Sequence, residues 1–253
     1  MKKITAIYFS PCGTTKTAVC SVAGGLGEVA KEVDLTPLSA ASAEISLGAE
    51  DVLVCGVPSF GGRVPLTAFE RIKNLHGNGA AAVAVVTYGN RAFDDTFAEL
   101  QDALEAQGFV VVAGVAAVTQ HSIVNQFGAG RPNAEDQTQL QAFGKEIAEK
   151  LTGAPKRAEL PGNRPYLERH GGGLVPMVSD ACKGCGKCVT QCPVGAIPKD
   201  NPKTTDKDLC VSCMGCISVC TQKARSLPEA AIGMLTEKLS KVCADRKENQ
   251  LFF

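Results

Sequence analysis

A chain of 253 residues, 45% hydrophobic and 21% charged, has globular composition, which excludes disorder over most of its length. It has room for one large domain or two modest ones, at roughly 100–200 residues per domain. Net charge is zero, but residues 1–155 carry 11 Lys/Arg against 16 Asp/Glu and residues 178–228 carry 7 against 4, which leaves no basic stripe for a nucleic acid.

No run of about eighteen apolar residues is long enough for a membrane span. The opening MKKITAIYFSPCG lacks both an apolar signal core and a small-residue cleavage site, so no signal peptide is expected. The first 152 residues alternate strand and helix patterns. KITAIYFS (3–10) reads as a buried strand and 13–23 as a helix, followed by a short strand at 33–36. Next come DVLVCGVP (51–58), a helix over 65–75 and AAAVAVVTYG (80–89). A helix over 93–107 stops at Gly108, FVVVAGVAAV (109–118) is the last strand, and 134–151 is the last helix. Continuous apolar runs between helices are what a parallel sheet covered on both faces requires. Five such strands predict an α/β, doubly wound parallel sheet of order 2-1-3-4-5. Gly25-x-Gly27-x-x-Ala30 matches a dinucleotide fingerprint, but it follows a helix rather than a strand and reads as a helix stop at Gly24 and Gly25. No other segment offers a nicotinamide site.

Residues 152–178 hold four prolines and five glycines, which continue neither period; residues 153–177 are expected to form a linker or a wrapping arm. Residues 178–228 carry two cysteine runs, an internal repeat of CKGCGKCVTQCPVGAI against CVSCMGCISVCTQKAR. Pro228 opens the remaining segment, 229–253, where Ile232, Leu235, Leu239 and Val242 recur at helical spacing and are expected to pack on a domain.

The spacing Cys182-x2-Cys185-x2-Cys188-x3-Cys192-Pro193, repeated in Cys210-x2-Cys213-x2-Cys216-x3-Cys220, suits thiolates wrapping cubane clusters. Two copies imply two 4Fe-4S clusters. The first three cysteines of each run hold one cluster and the fourth ligates the other. The expected sets are Cys182, Cys185, Cys188 and Cys220, and Cys210, Cys213, Cys216 and Cys192. A zinc ribbon has no use for the third step or the closing Cys-Pro, and a disulfide framework suits a secreted chain. Reduced thiols and oxygen-sensitive clusters point to the cytoplasm.

Three loops at the carboxyl ends of the strands, where a doubly wound sheet binds its ligand, carry the second site. Ser10-Pro11-Cys12-Gly13-Thr14-Thr15 joins short hydroxyls and a glycine to a helix N-terminus, a cradle for phosphate. It lacks the GxxxxGKS/T pattern of nucleotide triphosphatases. Pro58-Ser59-Phe60-Gly61 and Thr87-Tyr88-Gly89-Asn90 each offer glycine and one aromatic to a flat ring.

On these residues the first 150 or so positions resemble a flavodoxin, whose phosphate loop reads Ser/Thr-x-Thr-Gly-x-Thr. The resemblance implies FMN, its phosphate held by Ser10, Cys12, Gly13, Thr14 and Thr15. The isoalloxazine ring is then flanked by Pro58, Ser59, Phe60, Gly61, Thr87, Tyr88, Gly89 and Asn90. Cys12 departs from the pattern, replacing a hydroxyl with a weaker donor. The whole chain resembles EFR1-type fusions, which join an N-terminal flavodoxin-like domain (here 1–152) to a C-terminal α+β two-cluster ferredoxin (here 178–228).

Of the remaining cysteines, Cys55 and Cys20 read as packing, and Cys243, near the chain end, as solvent-exposed. Cys12 sits where a helix N-terminus lowers a thiol pKa, although a bound phosphate opposes that shift. His121 and Arg131 lie in the loop after the last strand, near the carboxyl edge. Lys183 and Lys187 balance the negative charge of clusters, about −2 each with their thiolates. Ile197, Val211, Ile217 and Val219 are expected to keep water from the clusters. The expected function is electron transfer between the clusters and FMN for a protein redox partner in anaerobic metabolism. A flavin-dependent reductase of a small organic substrate and a redox-sensing interaction module are the alternatives. Docking of the domains within one chain or across a homodimer stays open.

Overall fold

The computed structural model describes residues 2–169 and 172–253; positions 170 and 171 of the expected arm lie outside the described residues. Five parallel strands, β1 (Ile4–Tyr8), β2 (Val29–Asp34), β3 (Val52–Pro58), β4 (Ala81–Tyr88) and β5 (Val110–Val118), form a sheet in the order β2-β1-β3-β4-β5. β3, β4 and β5 consist almost entirely of valine, alanine and similar small apolar residues, buried nearly throughout, because helices cover both faces. α1 (Thr14–Leu26) and α4 (Ala134–Lys150) supply Val19, Val22, Leu140 and Ile147 to one core. α2 (Leu66–Ile72) and α3 (Thr96–Ala106) supply Ala68, Ile72, Phe97 and Leu100 to the other.

Several expected boundaries move. α1 runs through Gly24 and Gly25 to Leu26 instead of stopping there, and Gly27 caps it by donating its N–H to Ala23 O at 3.2 Å. Gly25 serves helix packing: a Cβ there would lie 2.1 Å from Gln141 O on α4, and one at Gly144 would lie 2.2 Å from Val22 O. That close approach accounts for half of the false dinucleotide fingerprint. β2 begins at Val29, four residues earlier than expected, because it is an edge strand whose middle residues face water and so lack an apolar run.

The expected five-stranded sheet has a sixth, antiparallel strand. After β6 (Met177–Val178) and β7 (Arg225–Ser226), which pair with each other, the chain end returns as β8 (Gln250–Phe252) along the free edge of β5. Three residues are too few to show a period. Asn249 anchors the return by accepting from Val118 N at 2.9 Å and donating to Gln139 Oε1 at 2.8 Å, while Phe252 packs edge-on against Phe97.

Residues 153–169 form a wrapping arm. Ala158 donates to Val111 O at 2.8 Å and is 2% exposed. Buried Asp95 accepts from Asn163 N, Asn163 Nδ2 and Leu167 N at 2.7–2.9 Å. Buried Glu99 takes a bidentate pair from Arg63 and a further ion pair from Arg169 of the arm. The cysteine runs contribute two short helices, α5 (Lys187–Gln191) and α6 (Gly215–Ser218), each entered through a left-handed residue. α7 (Glu229–Ser240) packs Leu235 and Leu239 against Val124, Phe127 and Cys243, yet none of its residues is fully buried and Val242 beyond it is exposed. Among the described residues no helix is long and apolar enough to cross a membrane.

Burial alone would raise the Asp95 pKa, but the N–H donors of Asn163 and Leu167 outweigh it and hold the carboxyl below its usual range. A depressed carboxylate contributes stability that is complete above its unfolded value, near 3.9, and is lost as pH falls through the folded one. Asp95→Ala is expected to cost about 2–3 kcal/mol in urea unfolding and to open residues 160–169 to proteolysis. Its unfolding curve should also lose part of the wild-type acid sensitivity below about pH 4.

Candidate functional site

A cavity opens at the carboxyl ends of β1, β3, β4 and β5. It is lined by Pro11, Cys12, Thr14 and Thr15, by Pro58, Ser59 and Phe60, by Thr87, Tyr88 and Gly89, and by the loop 119–122. Nine of the thirteen residues expected around FMN thus share one wall system. Gly13 is the N-cap of α1 at φ 87° with no side-chain cap, which leaves N–H groups of the first turn open to an anion. Lys16 N–H is the exception, because it donates to Ser10 Oγ at 2.9 Å. Thr15 and Thr87 share a buried hydroxyl pair at 2.8 Å. Ser59 N donates to Thr87 O at 2.7 Å, which ties the second loop to the third.

The other four expected residues sit differently. Ser10 is turned inward as a helix cap, Gly13 holds the turn, and Gly61 lines an adjoining larger cavity. Asn90 does not flank this cavity. It is 5% exposed, at φ 64°, and donates to Cys243 O at 2.9 Å and Asp245 O at 3.0 Å, clamping the chain end. The loop after β5, expected near the carboxyl edge, supplies Thr119, Gln120, His121 and Ser122 to the wall. A signal for this lies in Gly89, where a Cβ would stand 2.8 Å from His121 Cα. Arg131 is structural: it pairs with Asp136, itself part of the capping box of α4.

The cysteines surround two further cavities. Cys182, Cys185, Cys188 and Cys220 line one, with Lys183, Lys187, Pro202 and Arg225. Cys192, Cys210, Cys213 and Cys216 line the other, with Val194, Ile197, Val211 and Met214. Among the described residues no three metal-binding side chains converge on a single ion. The four cysteines of each set instead line one cavity, which suits a multinuclear group. Ala196 N donates to Cys192 Sγ at 3.2 Å and Ala224 N to Cys220 Sγ at 3.3 Å, the same contact in both repeats. Ile197, Ile217 and Val219 pack around the cysteines, whereas Val211 is exposed.

The second cavity is docked directly onto the first loop. Cys213 lines both it and the cavity at the strand ends. The Cys12 thiol donates to Cys213 O at 3.4 Å, and Gln191 Nε2 donates to Pro11 O at 3.1 Å. Buried Arg71 on α2 donates to Pro193 O at 2.6 Å. Gly215 meets Pro11: a Cβ there would lie 3.1 Å from Pro11 O. The first repeat carries Lys187 at that position, so the glycine is a trace of this contact in the sequence.

Burial pushes the Cys12 thiol up to about 12, with Cys216 adding to the shift, so the lowering expected from the helix N-terminus does not win. Burial likewise pushes Cys55 up to about 12. Cys243 is buried at 3% exposure rather than exposed, because Val124, Phe127, Leu235 and Leu239 pack around it, and burial raises its pKa.

Residues 175–197 and 207–223 each match a family model described as a 4Fe-4S binding domain, so the chain carries two 4Fe-4S binding segments. The formate dehydrogenase iron-sulfur subunit of Haemophilus influenzae is 30% identical over 97 residues, which cover 38% of this chain and 30% of that protein. The chain therefore matches less than a third of that relative's length. Among solved structures, a flavodoxin from the domain Archaea aligns at TM-score 0.40 and 18% identity, over 60% of this chain and 100% of that one. Flavodoxin 1 from Bacillus cereus aligns at 0.39 and 19%, over 60% and 100%. The apo form of an NADH:FMN oxidoreductase aligns at 0.41 and 18%, over 61% and 92%.

His121 Nδ1 accepts from Ile123 N at 3.2 Å and Val124 N at 3.0 Å, which fixes the neutral ring with its proton on Nε2. Burial, and then Arg91, lower its pKa. A base with a depressed folded pKa contributes stability that is complete above its unfolded value near 6.5 and lost as pH falls below it. Unfolding free energy should therefore drop on going from pH 7.5 to 5.5, and His121→Gln should flatten that drop. NMR of the ring nitrogens should show His121 titrating at lower pH than a free imidazole.

Proposed function

We propose that this chain is an electron-transfer iron–sulfur flavoprotein, in which residues 178–228 hold two 4Fe-4S clusters and residues 1–152 hold FMN. When bound, the clusters supply one-electron transfer and the flavin one- or two-electron chemistry. The observation that carries the reading is Cys213. It stands in the wall of a four-cysteine cavity and in the wall of the cavity at the strand ends. No separate carrier is needed between two groups that share a wall.

In this reading Cys182, Cys185, Cys188 and Cys220 ligate the outer cluster, and Cys210, Cys213, Cys216 and Cys192 the inner one. Open N–H groups of Cys12 and Thr14, with the Thr14 hydroxyl, hold the FMN phosphate, while Gly13 N–H donates to Ser10 O to keep the turn and Ser10 and Thr15 brace the loop through their hydroxyls. Phe60 and Tyr88, on loops tied by the Ser59–Thr87 hydrogen bond, bound the ring. The mix of open amides, one hydroxyl and two aromatics suits a phosphorylated flat ring. Cys12 spends its weak donor on Cys213 O, so its contribution to phosphate is its backbone. The oxygen-sensitive clusters agree with a cytoplasmic role in anaerobic metabolism, exchanging electrons with a partner protein near Cys185, the exposed ligand.

A second reading, reduction of a small organic substrate at the flavin, is favoured by one observation. A cavity of about 760 Å³ adjoins the first and shares Ser59, Phe60, His121 and Ser122 with it, with Met234 and Leu235 of α7 on the far side. Multiple turnover of a small oxidant would favour this reading.

Protein purified without oxygen is expected to contain about eight irons, about eight sulfides and about one FMN per chain. Eight irons without flavin after soaking in FMN would overturn the flavin half of the proposal. Cys192→Ser should remove a ligand of the inner cluster and slow flavin reduction by an external one-electron donor at least tenfold. An unchanged rate of flavin reduction in that variant sinks the relay.

A further inference from the structure

The two repeats build their cavities from equivalent positions but not from equivalent charges. Aligning CKGCGKCVTQCPVGAI (182–197) with CVSCMGCISVCTQKAR (210–225) sets Lys183 against Val211, Lys187 against Gly215, and Arg225 against Ile197. Lys183, Lys187 and Arg225 all line the outer cavity. Among the described residues the inner cavity has no cation in its wall, and Ile197 and Val211 stand there instead.

The lysines are exposed, so solvent and salt screen them. Arg225 is different. It is 3% exposed, and its guanidinium is held from behind, donating to Thr205 Oγ1 at 2.8 Å and to Pro202 O at 2.7 Å. Its Nε is buried and has no hydrogen-bond partner among the described residues. A buried N–H on a permanent cation is costly to leave unpaired, and the wall it belongs to is ringed by four cysteine sulfurs. A thiolate or sulfide in that cavity is the acceptor this donor lacks.

Resting on the reading that the two cavities hold clusters, we propose that Arg225 sets the outer site at a more positive reduction potential than the inner one, polarising the relay outward. A fixed positive charge and a donated N–H both favour the more negative, reduced state of whatever the outer cysteines hold. Arg225 also acts on Cys216 of the inner set, but it lines the outer cavity, and the inner wall holds no cation of its own among the described residues. One electron moving from the inner site to the outer site is thus downhill, with no bond made or broken. With both groups bound, the wall at Cys213 would receive the electron from the flavin side and the exposed Cys185 would pass it to an oxidised partner protein. Lys183 and Lys187 add a screened contribution of the same sign.

The test is a mediated potentiometric titration of the full, anaerobically reconstituted chain, followed by low-temperature EPR. Wild type should show two separated one-electron waves, and Cys185→Ser, which perturbs the outer ligand set alone, identifies the outer wave. Arg225→Ile, which restores the symmetry of the repeats, should shift the outer wave negative by at least a tenfold change in its equilibrium, about 59 mV, and the inner wave by less. Lys183→Val with Lys187→Gln should shift the same wave in the same direction by less, and added salt should erase that shift. If Arg225→Ile fails to retain iron, the lysine pair decides the sign. An outer wave already the more negative in wild type, or unmoved by these variants, overturns the proposal. A wild-type chain that takes up no iron overturns the cluster reading itself, which the iron assay alone reveals.

Discussion

Contact between the Gly215 turn and the loop after β1 is the constraint on which the candidate site depends. The N-terminal sheet puts Pro11 and Cys12 at the end of β1, and the second cysteine run meets them with Gly215 and Cys213. Gln191 and Arg71 fasten the same junction from either side, at Pro11 O and Pro193 O. Beside the close packing at Gly215, three hydrogen bonds to backbone carbonyls, at 2.6–3.4 Å, limit the freedom of either half to slide. Because Cys213 is shared between two walls, a displacement of a few ångströms here would separate the cavities altogether.

Buried charge steadies the loops around this junction. Glu99 gathers Arg63, Arg169 and the backbone of Val64, so the loop after β3 and the arm are tied at one carboxylate. Asp136 does the same for the loop after β5, joining Arg131, Asn133 and Asn249. Buried pairs of this kind contribute modestly to net stability, but losing one partner leaves an uncompensated charge. Their use at loop bases gives the cavity walls fixed positions without apolar contacts.

The cysteine runs were legible at once, since thiolate spacing states the chemistry directly, and so were the buried strands, whose valine and alanine runs have no other use. The three ligand loops were found because glycines and hydroxyls stand at strand ends. Other features left no local trace. β8 is three residues long, and the Asn90 clamp depends on a chain end more than 150 positions away. Gly25 looked like punctuation, although its role is contact with α4, a partner that no window around it contains. Cys12 shows the same limit: its helix N-terminus was visible, but the burial that overrides it comes from residues two hundred positions on.

The strand β8 changes what kind of object the cysteine-bearing segment is. Because the chain returns from α7 to complete the sheet it started in, residues 178–228 are threaded between two parts of one scaffold and not hung from its end. A carrier on a single tether can swing out, collect an electron elsewhere and return. An inserted unit held at both ends has no such excursion available, so the proposed relay requires tunnelling across a standing gap rather than diffusion of a mobile arm.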